Sequence, residues 1–162
     1  MRSLIQLLLL LNVIFQQYVN GDEDIRLPKS IIPLHYDISL VPDLATGSLE
    51  GQVQLDFFAQ SATDRIHLHG VNLKVIESSV IVTPLPNSNE NDLNKWQPTS
   101  PLEIIFPVQY IKTKEFIVIQ LASKLKDNSN YRLVLNYTGA INENLKGCYR
   151  SDYLDKQTGV KK

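Results

Sequence analysis

Hydrophobic and polar side chains alternate in short segments spread along the chain. In residues 35–40, for example, Tyr36, Ile38 and Leu40 fall on one face and polar residues fall on the other. Successive side chains of a β-strand point to opposite faces, so a period of two indicates half-buried antiparallel strands. The segments that show this alternation, or a high content of β-branched residues, are residues 35–40, 52–58, 66–69, 75–82, 116–121 and 131–138.

Two of these segments also predict side chains of the core. In residues 52–58 we expect Val53, Leu55 and Phe57 to face inward, because the residues between them are mostly polar. The last segment alternates in the same way, and its inward set is Tyr131, Leu133, Leu135 and Tyr137.

Residues that favour turns lie between the predicted strands, at 42–47, 70–72 and 127–129. Proline, glycine, aspartate and asparagine in these segments accept the backbone angles that tight turns require. Residues 84–101 are polar and rich in asparagine and proline, which predicts one long connection. No helical stripe is found apart from a single turn around residues 123–127. Seven or eight short strands joined by polar turns predict an all-β protein, an antiparallel β-sandwich.

The first 21 residues have the pattern of a secretory signal peptide. Arg2 precedes an apolar run, Leu4–Phe15, that is too short for the roughly 20 residues that span a bilayer. Small residues before a cut after Gly21 would leave Asp22 as the new amino terminus. We therefore expect a cleaved signal peptide at residues 1–21 and one domain at residues 22–162. An uncleaved anchor and a buried helix are the alternatives.

The charge balance gives no reason to expect a nucleic acid partner. The chain has 16 basic and 17 acidic residues, and removal of Arg2 with the signal peptide leaves 15 basic residues. A net charge of about −2 does not attract nucleic acid or an acidic membrane surface.

Candidate chemistry is sparse. His67 and His69 lie two residues apart on one face of a predicted strand, a spacing that can place two imidazoles on one metal ion. The third histidine, His35, is distant in sequence, so no zinc-peptidase helix with two histidines four residues apart exists in the chain. We predict no catalytic, cofactor-binding or metal-binding residue, and interpret the two histidines as solvent-facing or interdomain side chains.

Two further residues carry possible modifications. Asn136, followed by Tyr137 and Thr138, forms the only Asn-x-Ser/Thr sequon, and the alternation places its side chain opposite the predicted core face. Asn136 is the predicted glycosylation site. Cys148 is the single cysteine, so it is either a small buried apolar residue or the partner of a thiol elsewhere.

An ordered series of motifs resembles the opening of the aminopeptidase N-like zinc metallopeptidases. The family's Pro-x-x-Tyr-Asp-Leu-x-Leu-x-Pro strand is similar to residues 33–42, and its Gly-Phe-Tyr-Arg-Ser-x-Tyr segment is similar to Gly147–Tyr153. Cys148 stands where the family usually has phenylalanine. The other segments that resemble the family are residues 26–28, 49–53, 66–69, 73–75 and 131–139.

The resemblance implies a saddle-shaped β-sandwich that packs against a catalytic domain of the same polypeptide. In the family that catalytic domain holds zinc and removes residues from the amino termini of peptides, and its motifs would lie beyond residue 162. The chain as given is therefore expected to be inactive, part of a secreted or membrane-anchored enzyme, and a fragment of a longer reading frame. The alternative is a secreted β-sandwich binding module without catalysis.

Overall fold

Two antiparallel sheets make up the fold in the computed structural model, which describes residues 25–86, 100–141, 149, 151 and 153–159. The four-stranded sheet has the order β1-β2-β7-β4, and the three-stranded sheet has the order β3-β6-β5. One short 3₁₀ helix, Lys112–Lys114, joins β5 to β6. The strands are β1 (Ile31–Asp43), β2 (Ser48–Ala59), β3 (Arg65–His69), β4 (Leu73–Leu85), β5 (Ile104–Ile111), β6 (Phe116–Leu121) and β7 (Ser129–Ala140).

The predicted fold class is confirmed, and all six predicted strand segments lie within observed strands. β5 was not predicted. Its sequence contains Pro107, which cannot donate a hydrogen bond to a neighbouring strand, and its pairing with β6 shifts register between Ile105 and Gln109. That irregularity removes the alternation from which the other strands were predicted. The single helical turn predicted around residues 123–127 is wrong, because this segment forms a turn and irregular backbone.

The core lies between the two sheets. Leu55 and Phe57 of β2 and Leu133 of β7 are buried there against the second sheet, where Ile119 of β6 is also buried. The inward face predicted for residues 131–138 is therefore confirmed. Of the inward face predicted for residues 52–58, Leu55 and Phe57 are buried and Val53 is half-buried.

The predicted turns form through local hydrogen bonds. The Asp43 carboxylate accepts hydrogen bonds from the backbone N–H groups of Ala45 (2.9 Å) and Thr46 (3.2 Å). Gly47, at φ 68°, then leads into β2. Asn72 and Asn128 also adopt the left-handed conformation, φ 57° and 53°, at the starts of β4 and β7, since asparagine tolerates this region better than most residues.

Candidate functional site

The two long sides of the sandwich differ in how they are closed. On one side β4 and β5 lie against each other and bring the two sheets together. The backbone N–H of Leu102 donates to the carbonyl of Val82 (2.8 Å), and that of Val75 donates to the hydroxyl of Tyr110 (2.9 Å). These hydrogen bonds join the four-stranded sheet to β5 and to the segment that precedes it.

The opposite side, between β1 and β3, is open. Tyr36 and Ile38 of β1 pair with Leu55 and Val53 of β2, so they lie on the inner face of the four-stranded sheet. Nevertheless Tyr36, Ile38 and Leu40 are 48%, 55% and 54% exposed. Among the described residues, the three-stranded sheet ends at β3 and leaves this part of the inner face uncovered.

The uncovered inner face forms an apolar groove of about 340 Å³. Leu27, from the segment that precedes β1, lines it at one end, together with Leu68 of β3. Among the described residues that line it, His69 contributes the only polar side chain apart from tyrosine hydroxyls, and none is acidic, lysine or arginine. We refer to this feature, between β1 and β3, as the open groove.

Tyr137 forms part of the floor of the open groove because its neighbour in β2 is a glycine. Gly51 pairs with both Leu40 and Tyr137. A Cβ atom at Gly51 would lie 2.6 Å from Cζ and Oη of Tyr137. The absence of a side chain at Gly51 thus lets the Tyr137 ring lie across β2. Burial raises the pKa of this tyrosine and favours the neutral hydroxyl.

The two histidines of β3 pack against an aromatic ring. The His67 and His69 rings meet Phe116 edge to face, with centroid distances of 5.9 and 5.0 Å. Burial, and then the nearby Arg65, lower the pKa of His67 and favour its neutral form. Among the described residues no group of three histidine, cysteine or carboxylate side chains could hold a metal ion.

The outer face of the four-stranded sheet carries polar side chains on β2 and β7, next to the exposed Ile76 and Ile81 of β4. The Arg132 guanidinium donates two hydrogen bonds, of 2.6 and 2.7 Å, to the two carboxylate oxygens of Asp56. This pair, helped by the charge of His35, holds the pKa of Asp56 below its usual value. The hydrogen bonds cross from β2 to β7 and fix the two strands on the side away from the core.

Asn136 lies on this outer face, in the middle of β7. Its side-chain oxygen accepts a hydrogen bond from Nε2 of Gln52 (2.9 Å), and its backbone N–H donates to Oγ of Ser79 (2.8 Å). The side chain is half-buried. It points away from the open groove, and the use of the sequon remains a prediction.

Other predicted features fall outside the described residues. These are the signal peptide at residues 1–21, residues 87–99 of the long connection predicted at 84–101, Cys148, and much of the motif Gly147–Tyr153. Residues 84 and 85 of that predicted connection belong to β4. Tyr149 and Tyr153 of that motif are described, and both are exposed. In the part of the chain that the structure describes, no helix has the length and apolar character needed to cross a membrane.

Comparison with known proteins gives one family over most of the chain. Residues 32–162 match the family described as the peptidase M1 N-terminal domain. Glutamyl aminopeptidase of Sus scrofa is 26% identical over 136 residues, which are 82% of this chain and 13% of the relative. Aminopeptidase M1 of Arabidopsis thaliana is 31% identical over 85% of this chain and 14% of the relative. Endoplasmic reticulum aminopeptidase 2 of Homo sapiens is 24% identical over 86% of this chain and 14% of the relative. The chain thus spans about one seventh of the length of these relatives.

Proposed function

Because the chain belongs to the family of M1 peptidase amino-terminal domains, we propose that it is the non-catalytic amino-terminal part of a zinc aminopeptidase. In such an enzyme the sandwich supports a catalytic domain of the same polypeptide, which removes residues from the amino termini of peptides. The names of the relatives, all aminopeptidases, support this assignment.

The observation that carries the proposal is the open groove. Tyr36 and Ile38, which line it, leave about half of their surface in solvent on a sheet face that is otherwise core. Contiguous apolar surface of this kind marks a site of contact with another protein surface. A neighbouring domain that covered the open groove would bury these side chains, at roughly 25 cal/mol for each Å² of apolar area.

The residues that the structure describes do not fit a zinc site. A catalytic zinc needs three protein ligands and an open position, whereas His67 and His69 pack on Phe116 and no third donor accompanies them among the described residues. In this proposal zinc is held entirely by residues beyond this sequence, where it would activate the water that attacks the peptide bond.

An activity assay tests the proposal directly. Purified chain should release no product from a leucyl chromogenic substrate, with or without added zinc, because no group of side chains among the described residues could hold a metal ion. Cooperative urea unfolding of the same sample would show that it is folded. Turnover that a chelator abolishes would contradict the proposal.

Sequencing the transcript beyond Lys162 separates the proposal from the alternative of a secreted binding module. A reading frame that continues into a zinc-binding catalytic domain supports the enzyme assignment. A stop codon with no peptidase domain would favour the binding module, for which the open groove would be the contact surface.

We also propose that the protein enters the secretory pathway and carries a glycan on Asn136. The apolar run Leu4–Phe15 and the sequon support this, and the name of the human relative places that protein in the endoplasmic reticulum. In secreting cells, Asn136→Gln and Thr138→Ala should both remove a glycosidase-sensitive mass, whereas Thr138→Ser should keep it. A wild-type protein whose mass is unchanged by glycosidase would exclude the site.

A further inference from the structure

The outer face of the four-stranded sheet carries two exposed apolar side chains beside the sequon. Ile76 and Ile81 of β4 are 41% and 45% exposed there, and we refer to these two side chains as the outer patch. We propose that a glycan on Asn136 packs its first N-acetylglucosamine against the outer patch and stabilises the folded domain. The inference rests on the glycosylation put forward as part of the proposed function, and it adds where the sugar lies and what it does there.

The register of the strands places Asn136 next to the outer patch. Asn136 of β7 lies opposite Ile76 of β4, and Val134 lies opposite Ile81. Leu135, between the two β7 residues, is buried in the core, so Asn136 and Val134 both face outward. Side chains directly opposite each other in an antiparallel pair have Cβ atoms about 4.5–5.5 Å apart. The outer patch is therefore within reach of a sugar ring attached to Asn136.

A bulge in β4 holds the outer patch around the attachment site. The pairing of β4 with β7 shifts register between Ile76 and Ile81, and the residues between them bulge opposite Leu135. Oγ of Ser79, in this bulge, donates to the carbonyl of Ile76 (2.6 Å) and accepts from the backbone N–H of Asn136 (2.8 Å). The bulge is thus fixed to β7 at Asn136 itself.

A hydrogen bond from the opposite neighbour aims the attachment atom at the outer patch. Nε2 of Gln52, which lies opposite Asn136 on β2, donates to Oδ1 of Asn136 (2.9 Å). The oxygen and nitrogen of an amide diverge from Cγ, so Nδ2, which carries an N-linked glycan, lies on the side of β4. A glycosylated asparagine keeps Oδ1 as an acceptor. The hydrogen bond is therefore compatible with the glycan and orients it.

The chemistry of the sugar suits this surface. N-acetylglucosamine offers ring C–H groups and an acetyl methyl group to the isoleucines, while its hydroxyls stay in water and leave no buried polar group unpaired. Covering about 40 Å² of apolar area corresponds to a change of about fivefold in the ratio of folded to unfolded protein. A second copy of the chain fits less well, because two half-exposed isoleucines offer far less than the roughly 800 Å² that each partner of a stable complex buries.

The test compares chains with and without the glycan. The wild type and the double variant Ile76→Thr/Ile81→Thr are each purified from secreting cells, with and without tunicamycin, which blocks synthesis of N-glycans. Asn136 lies in the only sequon of the chain, so the two forms of each protein differ in this glycan alone. Urea unfolding gives the ratio of folded to unfolded protein for each form.

We expect the glycan to raise this ratio about fivefold in the wild type and by less than about twofold in the double variant. The matched control Ile38→Thr, at a side chain 55% exposed on the inner face of β1, should keep the full effect of the glycan. Trimming with an endoglycosidase that leaves one N-acetylglucosamine should keep it as well. Nuclear Overhauser contacts should join the acetyl methyl group of that sugar to the methyl groups of Ile76 and Ile81.

Equal stabilisation of the wild type and the double variant would overturn the inference, as would its loss on trimming to one sugar or the absence of the Overhauser contacts. A dimer in sedimentation that the double variant abolishes would overturn it by assigning the outer patch to a second copy. If glycosidase leaves the mass of the wild type unchanged, the glycosylation fails and the inference fails with it. A glycosylated chain that gains no stability refutes the inference alone, so the two failures are distinguishable.

Discussion

Alanine substitution of two isoleucines, one in each sheet, would measure how exposed the side chains of the open groove are. Ile119 of β6 is 0% exposed and lies in the core, whereas Ile38 of β1 is 55% exposed and lines the open groove. Both lie in strands, so Ile→Ala removes the same three carbon atoms from the same backbone conformation. The comparison isolates burial.

The two costs can be worked out from these exposures. Three buried carbons at about 0.8 kcal/mol each give about 2.4 kcal/mol for Ile119→Ala, and the cavity left in the core brings the total to about 3–4 kcal/mol. Less than half of the Ile38 side chain is buried, which limits its transfer contribution to about 1 kcal/mol. Solvent already reaches this position, so no closed cavity forms.

Urea unfolding of the purified chain, followed by circular dichroism, gives both free energies of unfolding by linear extrapolation. We expect Ile119→Ala to lose at least twice as much stability as Ile38→Ala, at similar m-values. Equal losses would mean that Ile38 is buried in the isolated chain, and the description of the open groove would then be wrong. A loss near zero for Ile119 would contradict the assignment of the core.

Three other perturbations have defined outcomes. Gly51→Ala should destabilise the chain by about 1–3 kcal/mol in urea unfolding, because the added Cβ overlaps the ring of Tyr137; an unchanged midpoint would contradict that contact. Asp56→Asn should cost about 1 kcal/mol or less at pH 7 through loss of the Arg132 pair. The pKa of Asp56 is lowered in the folded state. The difference in free energy of unfolding between Asp56→Asn and wild type should therefore shrink as the pH falls below about 3.9. A constant difference down to pH 2 would refute this role of the pair. The lowered pKa of His67 means that protonation opposes folding, so His67→Gln should reduce the loss of stability as the pH falls below about 6.5; identical pH profiles would count against this.

Periodicity predicted the parts of the fold in which local sequence and tertiary environment agree. Leu133 and Leu135 alternate with polar or half-buried residues and are buried as expected, because both of their neighbouring strands extend the same sheet. β5 escaped prediction because Pro107 interrupts its pairing and removes the alternation. The alternation of hydrophobic and polar residues depends on regular strand geometry, so it is lost where a strand is irregular.

The open groove could be predicted only in part. The alternation in β1 correctly places Tyr36, Ile38 and Leu40 on one face, and the family resemblance implied a sandwich that packs against a catalytic domain. The alternation does not reveal where the second sheet stops, since that depends on the pairing of β3 with β6 far along the chain. Similarly, the pair formed by Asp56 and Arg132 joins residues 76 positions apart, and no local pattern indicates it.

The uneven closure of the sandwich also has a consequence for biosynthesis. β1 is the first strand of the domain to leave the ribosome, and β2 pairs with it as a hairpin soon afterwards. If a later domain of the same polypeptide covers the open groove, as in the proposed function, the open groove stays uncovered while the intervening residues are made, at roughly 5–20 residues per second. Throughout that interval the apolar side chains of β1 stay exposed to other nascent chains. A holding chaperone that binds extended apolar segments would therefore be required for yield, more than for the correctness of the final fold.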